Sequence, residues 1–393
     1  MGGIGADRLV GDNNANYLVG GLGADTLQAT GGNDTLYGQD GDDSLVGGTG
    51  ADLFQAELGN DTYTGGDTGN AGPADTLDLS AYNSNYTVKG TTNTDLTISG
   101  GSTGTDRAAY IDVWKFGDGN IVFNNTTNGT NTNWNETIIT GSGNDAIYTG
   151  NGRDWISAGA GNDTVNGSIW GTDATNDLDT MDGGAGEDRL LHNTTSTVRV
   201  SLDGGSSSYQ LVTVAGNASY VDYVKGFEHI TTGSAADSIW GGSGNSSILS
   251  GQGADYVNDL VGNNFIDVGK DRTGYNDGSG DTVVTGAGND TIYTGGGYYE
   301  SVSAGDGNNY IDMLGSSGYA ASITSGSGDD TIVGFIGTAY SRQWATANWG
   351  ASHPYTVGFL NAGDGNNYIK SSAAWLYGAE SVVTGSGNDY IDV

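Results

Sequence analysis

The chain has 393 residues, including 72 Gly and 2 Pro, and carries a formal net charge of −35. Its 12 basic residues exclude a protein that binds nucleic acid through the phosphate backbone, and its lack of Cys excludes disulfides and thiolate metal sites. No stretch approaches the ~20 apolar residues of a membrane-spanning helix, so we expect no membrane insertion. Of the 47 acidic residues nearly all are Asp, which suits turns and sites for hard cations.

A nine-residue period dominates the chain. Residues 2–64 divide without a gap into seven blocks, of which GGLGADTLQ and GQDGDDSLV are typical. The sixth position of a block holds Asp or Asn, and the eighth holds Leu, Phe or Tyr. The blocks recur in residues 140–166, 183–191, 232–267 and 276–293, and single blocks start at residues 304, 325, 362 and 384. A fixed short period of this kind is typical of a solenoid.

The block resembles the nonapeptide G-G-x-G-x-D-x-U-x of the RTX calcium-binding proteins, in which x is any residue and U is an apolar one. The resemblance implies an all-β fold, a parallel β-roll (a β-solenoid) with calcium-binding turns, interrupted here by β-rich insertions. Positions 1–6 would form a turn in which Gly permits a left-handed backbone, and positions 7–9 a short strand with position 8 inward. Two blocks would make one coil of about 18 residues. A core this thin buries little area, so bound ions are expected to help stabilise it.

The spacing of the blocks predicts five segments. These are a regular calcium β-roll at 2–78, a β-rich spacer at 79–134, a second roll segment at 135–191, a β-strand spacer at 192–231, and an irregular β-roll at 232–393 with calcium on one side only. The last contains an aromatic-rich insertion at 334–359 with Tyr340, Trp344, Trp349 and Tyr355. We interpret this insertion as a pad over the roll or as a contact surface for a sugar or a neighbouring subunit. No segment shows the 3.6-residue periodicity of a helix.

The resemblance implies that each sixth-position Asp binds an ion shared with turn carbonyls of the neighbouring coil. Asn16, Ser246, Asn264, Asn309 and Asn367 depart from the pattern, and we expect weak or empty sites there. Asp306 and Asp364, at third positions, are predicted to substitute at two of these turns. The predicted metal ligands are Asp7, Asp25, Asp34, Asp43, Asp52, Asp61, Asp145, Asp154, Asp163, Asp188, Asp237, Asp255, Asp281, Asp290, Asp306, Asp330, Asp364 and Asp389.

Columns of Asp on coils ~4.8 Å apart repel one another without cations. We therefore expect a disordered metal-free chain and a folded form that holds multiple calcium ions. Extracellular modules bind calcium at ~10⁻⁴–10⁻³ M, so the chain is expected to fold outside the cell. The resemblance implies type I secretion.

No catalytic centre is expected in this chain. The three His residues lie far apart, and the chain has no H-E-x-x-H motif for zinc. Residues 100–104 fit G-x-S-x-G formally, but a Gly/Ser/Thr-rich loop surrounds them and no helical pattern follows. Polysaccharide epimerase or lyase chemistry, which β-solenoids can host, stays open because no residue cluster points toward or against it.

The leading functional hypothesis is an extracellular structural protein of a surface layer, filament or matrix. The repeats occupy nearly the whole chain and leave little room for a separate catalytic domain. Repeats run from residue 2 to residue 393, so we expect uncapped ends and self-association into a head-to-tail polymer or a lattice. One alternative is an adhesin stalk or carbohydrate-binding segment with a surface glycan as partner. Another is the repeat region of a secreted enzyme or toxin.

Overall fold

The computed structural model describes residues 1–66, 72–90, 95–101, 104–125, 134–167, 179–193, 195, 197–202, 210–214, 221–269, 280–295, 300–313, 321–335, 359–371 and 381–392. Ser102 and the aromatic residues Tyr340, Trp344, Trp349 and Tyr355 of the predicted insertion lie outside these ranges. Within them the chain forms strands and turns, and no helix there is long and apolar enough to cross a membrane. The all-β prediction is confirmed.

The chain divides into two compact units. The first comprises Met1–His192 and Ser219–Phe227, and the second comprises Asn193–Ala218 and Glu228–Val393. Strands of the first unit are β1 (Arg8–Val10), β2 (Tyr17–Leu22), β3 (Thr26–Gly31), β4 (Thr35–Asp40), β5 (Ser44–Thr49), β6 (Leu53–Gln55), β7 (Thr62–Thr64), β8 (Thr76–Leu79), β9 (Tyr86–Gly90), β10 (Leu96–Gly100), β11 (Gly104–Ala109), β12 (Val113–Phe116), β13 (Ile121–Asn124), β14 (Thr137–Ile139), β15 (Ala146–Tyr148), β16 (Trp155–Ser157), β17 (Thr164–Asn166), β18 (Thr180–Asp182), β19 (Arg189–Leu191) and β22 (Val221–Lys225).

The second unit is built from strands of the same short kind. They are β20 (Val198–Ser201), β21 (Gln210–Val214), β23 (His229–Thr231), β24 (Ser238–Trp240), β25 (Ser247–Leu249), β26 (Tyr256–Val261), β27 (Phe265–Asp267), β28 (Thr282–Ala287), β29 (Thr291–Tyr293), β30 (Ser301–Ser303), β31 (Tyr310–Asp312), β32 (Ser322–Thr324), β33 (Thr331–Phe335), β34 (Phe359–Asn361), β35 (Tyr368–Ser371), β36 (Ser381–Val383) and β37 (Tyr390–Asp392).

The strands of the first unit alternate between two sheets, as a roll requires. One sheet runs β2, β4, β6, β8, β12, β14, β16, β18 and β22, with every neighbour parallel. The other runs β1, β3, β5, β7, β11, β10, β9, β13, β15, β17 and β19. In it only β11–β10 and β10–β9 pair antiparallel, so a hairpin pair is inserted into the stack without ending it.

The second unit repeats the arrangement. One sheet runs β23, β25, β27, β29, β31, β33, β35 and β37, all parallel. The other runs β20, β24, β26, β28, β30, β32, β34 and β36, also parallel, with β21 antiparallel beside β20. Parallel β-rolls are therefore present in both units, as the period predicted.

The core of each roll is a double row of eighth-position side chains. Leu27 and Leu45 pair in register on β3 and β5, and both are buried. Ile266 and Ile292 do the same on β27 and β29. The residues on either side of position 8 point outward because successive side chains of a strand alternate between its faces. The inward position 8 is confirmed.

Glycine at the fourth position is required by the close stacking of the turns. Gly288 has a φ of +151°, and a Cβ atom there would lie 1.9 Å from the carbonyl oxygen of Gly262 on the neighbouring coil. At the equivalent fourth position, Gly244 has an ordinary φ, and no described atom would lie within 4 Å of a Cβ atom. The same motif position thus carries opposite steric demands in two turns.

We predict that Gly288→Ala lowers the free energy of unfolding by about 1–3 kcal/mol, because the side chain forces a strained backbone and a clash. Gly244→Ala is the matched control and is expected to raise it by about 0.4–1 kcal/mol, since it only restricts the unfolded chain. Urea unfolding at saturating calcium measures both. Equal effects of the two substitutions would contradict the stacking seen at Gly288.

Candidate metal centre

Sixth-position side chains link each coil to the next. The main-chain N–H of Asp25 donates to Oδ1 of Asp43 at 2.7 Å, and the N–H of Asp43 donates to Oδ1 of Asp61 at 2.9 Å. These residues lie one coil apart, immediately before strands that pair in register. The sixth-position residues along one edge of a roll therefore form a continuous chain of hydrogen bonds, which we call a carboxylate column.

Each unit has a column on both edges of its roll. In the first unit, one edge carries Asp7, Asp25, Asp43, Asp61 and Asp106, and later Asp145, Asp163 and Asp188. The other edge carries Asn16, Asp34, Asp52, Asp75 and Asp112, and later Glu136, Asp154, Asp179 and Asp222. In the second unit, the edges carry Asp237, Asp255, Asp281 and Glu300, and Ser246, Asn264, Asp290, Asn309, Asp330, Asn367 and Asp389.

The second oxygen of these carboxylates is buried. Oδ2 of Asp25, Asp34, Asp43 and Asp163 makes no hydrogen bond within the described part of the chain. In the turn of Asp43 this oxygen lies against the first-position glycine, since a Cβ atom on Gly38 would be 2.2 Å from Oδ2 of Asp43. A buried, ionised oxygen without a donor is costly. The turns thus present anionic oxygens whose charge the described main chain does not compensate.

Burial raises the pKa of several column carboxyls. The pKa of Asp43 rises to about 6 because of burial first, with repulsion from Asp61 and Asp25 adding to it and the N–H of Asp25 opposing it. Burial raises the pKa of Asp163 to about 7 and that of Asp237 to about 6. Asp61 is shifted in the same direction, although the Tyr63 hydroxyl donates to its Oδ2 at 2.9 Å. Without a cation, these positions favour protonation.

Two ion pairs in the described ranges join Arg107 to Asp95 and Lys225 to Asp182, all outside the columns. No described basic side chain acts on the carboxyls of Asp43, Asp163 or Asp237. Nor do three carboxylate or imidazole side chains converge on one point among the described residues. A cation bound at a column would therefore take its remaining ligands from main-chain carbonyls. Carboxylate and carbonyl oxygens are the donors that calcium prefers, so the residues present fit that ion.

Sixteen of the predicted metal ligands lie in the columns, and Asp306 and Asp364 do not. The carboxylate of Asp306 is exposed and accepts hydrogen bonds at 2.8 Å from the N–H and the hydroxyl of Ser327. Asp364 makes the same contacts with Ser386 at 2.7 and 2.9 Å. These bonds lower the pKa of both carboxyls. The two side chains join successive turns from outside, and a role as ligands stays a prediction for all eighteen.

Seven column members were missed by the sequence analysis. They share an acidic residue followed two places later by an inward apolar residue of a strand, but none has Gly at both the second and the fourth position of the preceding turn. The D/E-x-U triplet alone, as in Asp179-Thr180-Met181, is therefore the signal that would have identified most of them. The missed members are Asp75, Asp106, Asp112, Glu136, Asp179, Asp222 and Glu300.

Two amide members of the second unit replace an acid with a donor. The Nδ2 of Asn309 donates to the carbonyl oxygens of Gly305 at 3.0 Å and Gly307 at 3.1 Å in its own turn. Asn367 is placed in the same way, with Nδ2 3.3 Å from the oxygen of Gly363. An amide thus satisfies turn carbonyls that elsewhere remain available to a cation, which is the physical reason to expect weak metal binding at these two turns.

A second chain of hydrogen bonds runs along the exposed fifth positions with the opposite polarity. The N–H of Asn289 donates back to Oδ1 of Asn263 at 2.7 Å, and the N–H of Asn308 donates to Oδ1 of Asn289 at 2.7 Å. Here each side chain accepts from the following coil, whereas each column side chain accepts from the preceding coil. Adjacent residues therefore hold every such turn to both of its neighbours.

In calcium-free buffer, we predict that the chain is disordered near pH 8 and gains β-structure as the pH falls toward about 5. The folded pKa values of Asp43, Asp163 and Asp237 lie above the ordinary 3.8, so the folded state holds more protons and is favoured at low pH. That contribution disappears as pH rises through the folded values of about 6 to about 7. Circular dichroism at each pH measures it, with the calcium-loaded protein as control. A calcium-free chain that gains β-structure as the pH rises over this range would contradict the prediction.

Comparison with known proteins agrees with this geometry. A sequence profile for the RTX calcium-binding nonapeptide repeat (4 copies) matches residues 1–36, 19–54, 37–70, 135–168, 173–192, 231–266 and 275–297. No curated protein matches the chain. The matched segments contain most of the predicted column aspartates, and the structure shows parallel rolls in both units. The chain therefore carries RTX calcium-binding nonapeptide repeats in both of its units.

Proposed function

We propose that this protein is an extracellular structural protein that is held together by multiple calcium ions and self-assembles into a surface layer, filament or matrix. The observation that carries the proposal is the column of buried carboxylates, in which Oδ2 of Asp25, Asp34, Asp43 and Asp163 lacks a donor in the described part of the chain. Such a column is unfavourable by itself and becomes favourable when divalent cations occupy the turns. Calcium binding and folding would then be one event.

The ligands we propose are the sixth-position carboxylates together with carbonyl oxygens of the glycine-rich turns. In the first unit, Asp25, Asp43 and Asp61 present carboxylates on successive coils of one edge, and Asp34 and Asp52 do so on the other. When bound, calcium supplies positive charge and accepts six to eight oxygen ligands. The protein's part is to stack the turns so that carboxylates recur at each coil.

A calcium requirement of this kind would delay folding until after export. Extracellular modules bind calcium at ~10⁻⁴–10⁻³ M, well above cytosolic levels, so the chain would stay unfolded until secreted. RTX repeat proteins are typically secreted, and we propose the type I route for this one. We also propose that it has no catalytic activity of its own, because the repeats fill most of the described chain.

Rows of aromatic side chains on the outer faces of the sheets support self-association. In the second unit, ring centroids of Phe265 and Tyr293 are 5.6 Å apart, and those of Tyr293 and Tyr310 are 6.0 Å apart. Tyr368 and Tyr390 stack with centroids 5.2 Å apart, and both are exposed. Exposed aromatic residues are enriched at protein interfaces. Such rows could form the lateral contacts between one roll and its neighbour in an assembly.

A second candidate function is the binding of a surface glycan by a segment of an adhesin. The same aromatic rows favour it, because carboxylates stand beside the rings; the Tyr310 hydroxyl donates to Oδ2 of Asp312 at 3.4 Å. Aromatic faces with flanking polar groups suit sugars. A protein that folds with calcium but remains monomeric would favour this function over assembly.

We predict that calcium at about 1 mM converts a disordered chain into folded rolls that form polymers or sheets. Circular dichroism would show the gain of β-structure, and negative-stain electron microscopy would show the assemblies. Chelation should abolish both signals. Magnesium is the control, since it retains its waters and demands octahedral geometry that carbonyl-rich turns do not offer. Unchanged β-structure after chelation would contradict calcium-dependent folding, and monomers at that calcium level would contradict assembly.

We predict that Asn309→Asp makes the second unit more dependent on calcium. The substitution removes the donor to Gly305 and Gly307 and adds a buried charge between Asp290 and Asp330. At sub-saturating calcium the free energy of unfolding should fall by about 1–3 kcal/mol, and saturating calcium should recover the loss.

Asn308→Asp is the matched control for that substitution. It makes the same chemical change at the preceding residue, but Asn308 is exposed. The equivalent position of the following coil already carries an acid, Asp329. Its effect should stay within about 0.5 kcal/mol. Equal losses for the two variants, or no recovery of Asn309→Asp with calcium, would show that the amide does not stand in for an ion.

A further inference from the structure

One turn of the second unit has no acid at its sixth position, but a buried acid from the first position of the following block lies beside it. Ser246 and Asn264 head the column that continues with Asp290. Asp259, at the first position of the Asn264 block, is 0% exposed and points into the roll from β26. In the regular blocks this position is mostly Gly. An ionisable side chain there has no part in the repeat pattern.

The Asp259 carboxyl group occupies the place that a sixth-position carboxylate occupies elsewhere. In regular turns that carboxylate lies over the first-position glycine, with Oδ2 of Asp43 2.2 Å from a Cβ atom built on Gly38. In the turn of Ser246 the first-position glycine is Gly241, and a Cβ atom there would be 2.0 Å from Cγ of Asp259. The turn of Ser246 has no carboxylate of its own at position 6, and the Asp259 carboxylate of the following coil lies there instead.

Both oxygens of Asp259 are buried and make no hydrogen bond within the described ranges. The Ser246 hydroxyl and the Val261 N–H lie near enough to favour the ionised form, without the geometry of a full hydrogen bond. The described ion pairs involve other residues, so no described basic side chain neutralises the charge. A carboxylate in this state calls for a cation.

A second carboxylate adds negative charge around Asp259. Asp290, one coil beyond Asn264 in the column, repels the Asp259 carboxylate. Its Oδ1 accepts the N–H of Asn264 at 2.9 Å, while its Oδ2 is buried and makes no hydrogen bond to any described group. The Asp259 carboxylate, the Ser246 hydroxyl and turn carbonyls are all oxygen donors of the type that calcium takes.

We propose that Asp259 is the anionic ligand of a calcium site at the turn of Ser246, a site that the repeat motif does not encode. The site draws its carboxylate from the first position of the next block instead of the sixth position of its own. This inference rests on the proposed calcium binding of the protein. It predicts a bound ion where the repeat pattern, with Ser246 and Asn264, predicts a weak or empty turn.

The test is the number of calcium ions bound per chain, measured on the full-length folded protein by equilibrium dialysis with metal analysis. Asp259→Asn should bind one ion fewer than the wild type. Asp267→Asn is the matched control; it removes the same charge from a half-buried outward position on β27, and it should bind the full number. A full complement of ions in folded Asp259→Asn would overturn the proposal.

A swap variant decides the matter if Asp259→Asn fails to fold. Ser246→Asp combined with Asp259→Gly restores the regular motif, with an acid at position 6 and Gly at position 1. If Asp259 serves the Ser246 turn, the swap variant binds the wild-type number of ions. One ion more would show that the wild-type turn holds none, and one ion fewer would show that the two positions are not equivalent; either result overturns the proposal.

Failure of this inference and failure of the proposed function give different results. If the wild-type protein binds no calcium, the proposed function fails and the variants have nothing to compare. If the wild type binds several ions and the Asp259 variants bind the same number, calcium-dependent folding stands and only the additional site is lost.

Discussion

Burial of like-charged carboxylates at a short, fixed spacing is the constraint on which these rolls depend. Each described strand buries at most two apolar side chains, so the hydrophobic gain per coil is small. Each coil also places an acid beside its neighbours, at a spacing of ~4.8 Å. One oxygen of each acid receives an N–H from the preceding coil, while several second oxygens are buried without a described donor. The fold therefore needs a cation or a proton to be favourable.

The columns also explain how the rolls tolerate interruptions. Each coil contacts the next through an acidic residue and through a short strand with an inward apolar residue. The turn before this acidic residue can vary in length and sequence. Asp61 donates its N–H to Asp106, 45 residues further along the chain on the last strand of the inserted antiparallel segment. Strand β11 then pairs in register with β7, and the core continues. An insertion changes the length of a coil without changing what the next coil contacts.

The columns differ in charge along the chain, and that difference has chemical consequences. In the first unit the edges carry mostly acids, so nearly every coil adds negative charge to a column. In the second unit one edge alternates, with Asp290, Asn309, Asp330, Asn367 and Asp389 in succession. The Asn309 amide donates to carbonyls of its own turn and so removes both a charge and a pair of ligands. This edge carries about half the charge density of an all-acid column.

The nonapeptide motif, through its resemblance to the RTX repeat, implied the parallel roll, the inward eighth position and most of the column aspartates. A nine-residue repeat with one inward apolar residue per strand buries that residue when successive coils stack. The tertiary structure alone placed Asp75, Asp106 and Asp179 in the columns and Asp306 outside them. It also brought Asp259 to the turn of Ser246. Those positions depend on which coil stacks on which, and insertions of variable length set that register without leaving a local signal.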